Sequence, residues 1–277
     1  MIVFGIIILL TSFLGLWIFF TKQEKQIKKY LKKFSVRYRK FQERQFYLSG
    51  LFGFFHIKTP PSWIFSLPLI FGSIILIISS WIFGLIAEDI VSRDPLTLVD
   101  ADINKWFFYR TSPSLTSLMV FITDLAAFNT MIILYLLMVL FLTRKKLWYD
   151  LTFLSLSIPG GMLLNHLMKA SFHRPRPSLH LFYSSSLDYS FPSGHAMDAT
   201  LLYGCMAIFA LHVLKRWNWQ VFVVLLAVLL VILVSLSRVY LGYHYLSDTL
   251  AAIAIGIGWL SLCFMTTVAL RQTGHKA

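Results

Sequence analysis

The chain has 277 residues, of which 57% are hydrophobic and only 13% charged, with a mean hydropathy of +0.71. A chain so apolar exceeds what one water-soluble core can hide, which excludes an ordinary soluble domain and indicates a polytopic membrane protein. The net charge of +13 would suit nucleic acid, but much of the excess lies between Lys22 and Arg44, directly after an apolar segment, where a basic run belongs to the cytoplasmic membrane face; no nucleic-acid partner is expected.

Seven stretches reach the roughly 20 apolar residues that a helix needs to cross a bilayer. They are 2–20, 63–87, 117–142, 147–168, 194–214, 218–237 and 249–270. The first has no basic residue before it and no small-residue cleavage site after it, so it is expected to be a retained anchor. After it, Ile27, Leu31, Phe34, Tyr38 and Phe41 recur at helical spacing, while Lys25, Lys28, Lys29, Lys32, Lys33, Arg37 and Lys40 fill the other positions. Two readings fit equally: an amphipathic helix lying on anionic lipid, or a solvated basic linker. Pro60-Pro61 then breaks the chain. The expected organisation is an N-terminal anchor and basic cytoplasmic segment over 1–62 and a six-helix domain over 63–277, an all-α transmembrane bundle with one extra N-terminal span. Cys205 and Cys263 both lie in apolar stretches and read as small hydrophobes.

Lysine and arginine fix an expected orientation. Lys22 to Arg44, Arg144-Lys145-Lys146, Lys215-Arg216 and Arg271 to Lys276 are alternate connections, and one topology places all four in the cytoplasm. The connections 88–116, 169–193 and 238–248 then share the extracytoplasmic face. These loops hold Lys169, Arg174, Arg176 and Arg238, cations that run against the charge rule unless they bind an anion.

Three separated segments carry the chemistry. Pro192-Ser193-Gly194-His195 opens the fifth span, where the free amides of Ser193, Gly194 and His195 at a positive dipole end would seat an anion and His195 would hold a proton. Taken alone, the tetrapeptide is equally an ordinary helix start. Ser237-Arg238 ends the sixth span, and His244 and Asp248 follow at i, i+4, a spacing that lets a carboxylate fix the imidazole tautomer and free the other nitrogen as a nucleophile. Without Arg238 beside it, that pair would read as a helix cap. Lys169 and Arg176 frame the end of the fourth span and offer a point charge and a planar fork to phosphate oxygens. Arg174, between them, is read as snorkelling towards lipid headgroups.

Lys169 followed after six residues by Arg176-Pro177, then Pro192-Ser193-Gly194-His195, then Ser237-Arg238 with His244 and Asp248, resembles the three-part signature of the type 2 phosphatidic acid phosphatase superfamily. The resemblance covers residues 169–248 in the family's order, with every signature position matched; the first 62 residues have no counterpart in it. It implies a six-helix membrane core and a metal-free, cofactor-free mechanism. His244 is then the nucleophile that forms a phosphohistidine, Asp248 orients it, and His195 is the acid and later the base. Lys169, Arg176, Ser193, Gly194 and Arg238 hold the phosphoryl oxygens.

The remaining conspicuous residues are read as structural. Asp124 and Asp198 fall within spans, and His180, Phe182, Tyr183, Tyr189 and Phe191 form an aromatic loop that either belongs to the interfacial belt or lines access for a lipid tail. Trp63, Trp81, Trp106, Trp148, Trp217 and Trp219 read as interfacial anchors. The expected activity is hydrolysis of a phosphomonoester or diphosphate on a membrane lipid, at the outer face of a bacterial inner membrane. The substrates considered, in order, are undecaprenyl diphosphate, phosphatidylglycerophosphate, phosphatidic acid and lipid A. A phosphotransferase using the same phosphohistidine is the runner-up, and a non-catalytic headgroup binder or transporter ranks below it.

Overall fold

The computed structural model describes residues 2–34, 36, 67–92, 95–179 and 189–274. Pro60-Pro61, Trp63, the proposed boundary at 62, the basic run beyond residue 36 and His180, Phe182 and Tyr183 of the aromatic loop lie outside the described residues. The helices are α1 (Ile2–Lys22), α2 (24–34), α3 (Leu67–Ser92), α4 (Pro95–Phe108), α5 (Pro113–Asp124), α6 (Phe128–Arg144), α7 (Trp148–Phe172), α8 (Gly194–Val213), α9 (Trp217–Tyr240) and α10 (Leu246–Gly274). Among the described residues seven spans are long and apolar enough to cross a membrane, and the protein is an integral membrane helical bundle.

Two sequence expectations need correction. The third span is two helices, α5 and α6, separated at Leu125-Ala126-Ala127. Nothing in those residues breaks a helix by propensity; the break is possible because the freed carbonyls find partners, as backbone in lipid must. Leu125, Ala126 and Ala127 donate backwards to Ile122, Thr123 and Asp124, the Thr130 hydroxyl donates to the Asp124 carbonyl at 2.7 Å, and the Tyr203 hydroxyl donates to the Leu125 carbonyl at 2.9 Å. The connection 88–116, read as a loop, contains the 14-residue helix α4, which starts on Pro95, a residue suited to the first helical turn.

The centre of the bundle is α8 with α10 across from it. Ala196, Met197, Ala199, Leu201, Leu202 and Cys205 of α8 and Ala251 and Ala252 of α10 have no exposed surface. The alanines among them let these backbones approach, as membrane helices require in the absence of a hydrophobic drive. A Cβ on Gly256 would sit 3.0 Å from Thr200 Cγ2, so α10 passes α8 at a separation at which any added side chain would push Thr200 aside. On the outside of α10, α3 is held by the Ser261 hydroxyl, which donates to the Gly72 carbonyl at 2.8 Å.

The extra helix α1 packs on α9. The Trp17 indole donates to the Asn218 carbonyl at 3.1 Å, the Trp217 indole to the Phe20 carbonyl at 3.0 Å, and Phe13 meets Phe222 edge to face. From its end α2 continues with Tyr30, Leu31 and Phe34 exposed, Lys28 paired to Glu24 at 2.7 Å, and Phe34 leaning towards Phe71 of α3.

Candidate active site

The three signature segments meet at one end of the bundle, and the reason begins with how two helices stop. Helix α9 ends in a Schellman motif: the Tyr243 amide donates to the Arg238 carbonyl at 3.1 Å, the Gly242 amide to the Val239 carbonyl at 3.1 Å, and Gly242 lies at φ 75°. Glycine takes that left-handed conformation without steric cost, and the resulting turn brings His244 back over the helix end. Helix α7 stops at His173, which is also left-handed, at φ 50°, just ahead of Pro175. The turn sends Arg174 inward.

Arg174 therefore does not snorkel. It is buried, 8% exposed, and its guanidinium spans two carboxylates: Nη1 to Asp248 Oδ1 at 2.5 Å and Nη2 to Asp100 Oδ2 at 2.8 Å. Nη1 also donates to the Ser247 hydroxyl at 2.8 Å, and the guanidinium lies 4.2 Å over the Tyr245 ring. Burial disfavours its charge, but Asp248 and Asp100 outweigh that and hold its pKa above the ordinary arginine value. Asp100, on α4 and 1% exposed, also accepts the Ser247 amide at 3.0 Å and the Ser247 hydroxyl. It thereby caps the first turn of α10 from another helix.

Asp248 closes the same turn from within. Its Oδ2 accepts the Tyr245 amide three residues back at 2.9 Å, the reach-back half of a capping box. The same oxygen lies 3.5 Å from His244 Nδ1. A shorter bond to that nitrogen comes from elsewhere: the Ser190 carbonyl at 2.8 Å. Both neighbours can only accept, so Nδ1 carries the hydrogen and Nε2 keeps the lone pair. Ser190 is itself strapped to the Arg174 segment, its amide donating to the Arg174 carbonyl at 2.8 Å and its hydroxyl to the Pro175 carbonyl at 3.0 Å. His244 is 2% exposed, and burial pushes its pKa down to about 4; the bond to Asp248 opposes that fall, and Arg238 and Arg176 add to it.

At the start of α8, Ser193 is the N-cap and Pro192 lies just ahead of the helix. Its amide does not point outward as expected; it donates to the Asp248 carbonyl at 3.1 Å and pins α8 to α10. The helix ladder begins with Met197 to Ser193, so the amides of Gly194 and His195 stand outside it at the positive dipole end. The Ser193 hydroxyl is buried and engages no protein group among the described residues, and the same holds for Arg238 Nε. Arg238 is otherwise held by Thr123 at 3.2 Å and lies 4.2 Å over the Tyr243 ring. Arg176 donates to the Tyr243 carbonyl at 3.3 Å. His195 stands within electrostatic reach of Arg238, His244, Lys169 and Arg176, so cations from α7, the loop after it and α9 surround one imidazole on α8. The eight signature residues thus gather around the α8 N-terminus. Of the two aspartates read as structural, Asp198 lies within reach of Lys169 while Asp124 is exposed. Sequence reasoning missed Asp100, the burial of Arg174, the Ser190 carbonyl and the role of Gly242; only the glycine after a helix end carried a signal that could have been read.

Comparison with known proteins gives the same class. Residues 150–272 match the PAP2 superfamily. Phosphatidylglycerophosphatase B of Bacillus subtilis (strain 168) is 32% identical over 184 residues, 65% of this chain and 89% of that protein. An undecaprenyl-diphosphatase of Sulfolobus acidocaldarius is 27% identical over 180 residues, 63% of this chain and 80% of that protein. The crystal structure of a transmembrane PAP2-type phosphatidylglycerolphosphate phosphatase from Bacillus subtilis superposes with a TM-score of 0.61 at 28% identity, covering 68% of this chain and 93% of that one. The chain belongs to the PAP2 superfamily, the type 2 phosphatidic acid phosphatases. It is a membrane-embedded lipid-phosphate hydrolase.

Proposed function

We propose that the enzyme cleaves a terminal phosphate from a membrane lipid through a phosphohistidine on His244. The observation that carries this reading is the meeting of His195, His244, Lys169, Arg176 and Arg238 at the N-terminus of α8. His244 Nε2 attacks phosphorus as the bond to the lipid oxygen breaks, and His195 delivers a proton to that oxygen. Water, deprotonated by His195, then attacks phosphorus, and the phosphorus–nitrogen bond breaks. Lys169, Arg176, Arg238, the Ser193 hydroxyl and the Gly194 amide neutralise the phosphoryl oxygens throughout, which is most of what phosphoryl transfer asks of a protein. Such a donor set supplies the charge a metal would otherwise bring, so turnover should survive excess chelator.

The charge pattern of the connections supports placing the site on the extracytoplasmic side of a bacterial inner membrane, with residues 1–62 as an anchor and basic cytoplasmic segment apart from a 63–277 catalytic domain. Phosphatidylglycerophosphate comes first among substrates because relatives of that activity match over nearly their whole length, with undecaprenyl diphosphate second, ahead of phosphatidic acid and lipid A. Purified protein in nanodiscs should release inorganic phosphate from one of these lipids over many turnovers with no second lipid present. His244→Ala should lose all turnover while the protein remains folded. Activity at the wild-type level in that variant would remove the nucleophile, and release only in the presence of an acceptor lipid would make the enzyme a transferase.

A further inference from the structure

Arg174 and Asp100 lie outside the positions that touch phosphate, yet they surround the carboxylate behind the nucleophile. Arg174 is paired to Asp248 and Asp100 at once, and every member of the group, Ser247 included, is buried. The arrangement raises a problem of charge. As His244 Nε2 bonds to phosphorus, its ring becomes cationic, and a negative charge behind Nδ1 stabilises that state. An arginine on Asp248 by itself would cancel that charge. Asp100 restores it: two carboxylates and one guanidinium leave one net negative charge next to the imidazole. Asp100 also anchors the Ser247 amide, so the charge is delivered through a fixed first turn of α10.

We infer that Asp100 and Arg174 are positioning residues that set the charge and the orientation of Asp248 behind His244, so that the orienting chain of this enzyme runs Asp100, Arg174, Asp248, His244. It rests on the assignment of His244 as the nucleophile. Arg174 fixes Asp248 Oδ1 and so keeps Oδ2 turned towards Tyr245 and His244. The other charged and titratable groups facing His244 are Arg238 from α9, Arg176 from the loop after α7, His195 from α8 and, behind it, Lys169 of α7, with Tyr243 and Tyr245 beside it in sequence. Those stay constant across the variants below and set the starting point, not the differences.

The test is the acid limb of kcat/KM against pH, which reports protonation of the nucleophile in the free enzyme. Asp100→Asn leaves Arg174 to cancel Asp248; the imidazolium loses support, and the limb should move to lower pH by about half a unit or more. Arg174→Gln adds negative charge, and the limb should move to higher pH. Both should lower kcat by roughly 10- to 100-fold, as when a group that orients a catalytic side chain is removed, with KM little changed. Asp100→Asn/Arg174→Gln restores one negative charge, so its limb should return to the wild-type position and its kcat should exceed that of Arg174→Gln. Ser247→Ala changes no charge and should leave the limb in place. If Arg174→Gln does not assemble, Arg174→Lys keeps the charge and loses the fork, so kcat should fall with the limb unmoved. A packing role would shift both limbs alike in the folded variants; that outcome, or an unmoved limb in Asp100→Asn, overturns the inference. An active His244→Ala would instead overturn the nucleophile, so the two failures are distinguishable.

Discussion

Helices α1 and α8 are both membrane-length and mostly apolar, but they solve opposite problems. More than half of α8 is buried, while nothing in the α1 span is. In α1 the side chains are large, with Val3, Ile7, Leu10, Leu14 and Phe19 all facing outward; in α8 even Met197 and Leu201 are fully covered, because the helices that pass them supply glycines, Gly256 on α10 and Gly161 on α7. Hydrophobicity alone therefore says that a helix enters the membrane, and the small residues its neighbours offer it say whether it meets lipid or protein. Chemistry follows the second property: all three signature segments border α8 or the helices packed on it.

The sharpest break between the two regions should come from Arg238. Truncating Arg238 to alanine removes a buried guanidinium from the phosphate cradle and should lower kcat/KM by about 10²–10³-fold, the effect of losing one preorganised donor. Removing the Trp17 indole bond with Trp17→Phe, at the α1–α9 contact, should leave phosphate release within about twofold. Comparable losses in both variants would mean that α1 supports the site as strongly as α9 does.

Next comes the glycine test. Gly256→Val forces a branched side chain against Thr200 and Met197, two helical turns below Asp248 on the same face of α10. Overpacking of this kind costs about 1–3 kcal/mol, read as a lower thermal midpoint in detergent, and it should reduce activity by separating α8 from α10. Gly15→Val should change neither, because nothing lies within 4 Å of that position. Gly242→Ala sits between the two: a non-glycine residue at φ 75° costs roughly 1–2 kcal/mol, and the turn it strains is the one that presents His244.

The same contrast explains what could be read from residues alone. Lengths and apolarity located the spans to within a few residues, because crossing lipid imposes both. The signature histidines, Lys169, Arg176 and Arg238 stood out because their order and spacing repeat a three-part pattern, which a lone cation at a span end does not. Asp100 was not: it sits in a stretch with Glu88, Asp89, Asp94 and Asp102, and its burial depends on α4 folding back over the start of α10. Arg174 was misread for a related reason, since an arginine at a span end is ordinary until a left-handed His173 turns it inward. Backbone groups such as the Ser190 carbonyl have no sequence signature at all. The split of α5 from α6 was invisible because the carbonyls it frees are met partly by Tyr203, 78 residues away in the chain.

The smallest expected change in rate is the one on lowering pH from 7 to 5. His244 is held neutral down to about 4, so the nucleophile stays competent across that interval and the acid limb should fall below pH 5, well under the ordinary histidine value near 6.5. Stability should behave differently. In the unfolded chain the same imidazole takes up its proton near 6.5, so between about 6.5 and 4 the unfolded state binds more protons than the folded one, and stability rises with pH. On acidification the thermal midpoint should therefore decline through that window while turnover per folded molecule holds. In His244→Ala the His244 share of that decline should vanish, whereas in Trp17→Phe it should persist. An acid limb near 6.5 in the wild type would mean that water reaches His244 and that the enclosure built by Ser190, Asp248 and Tyr245 opens during turnover.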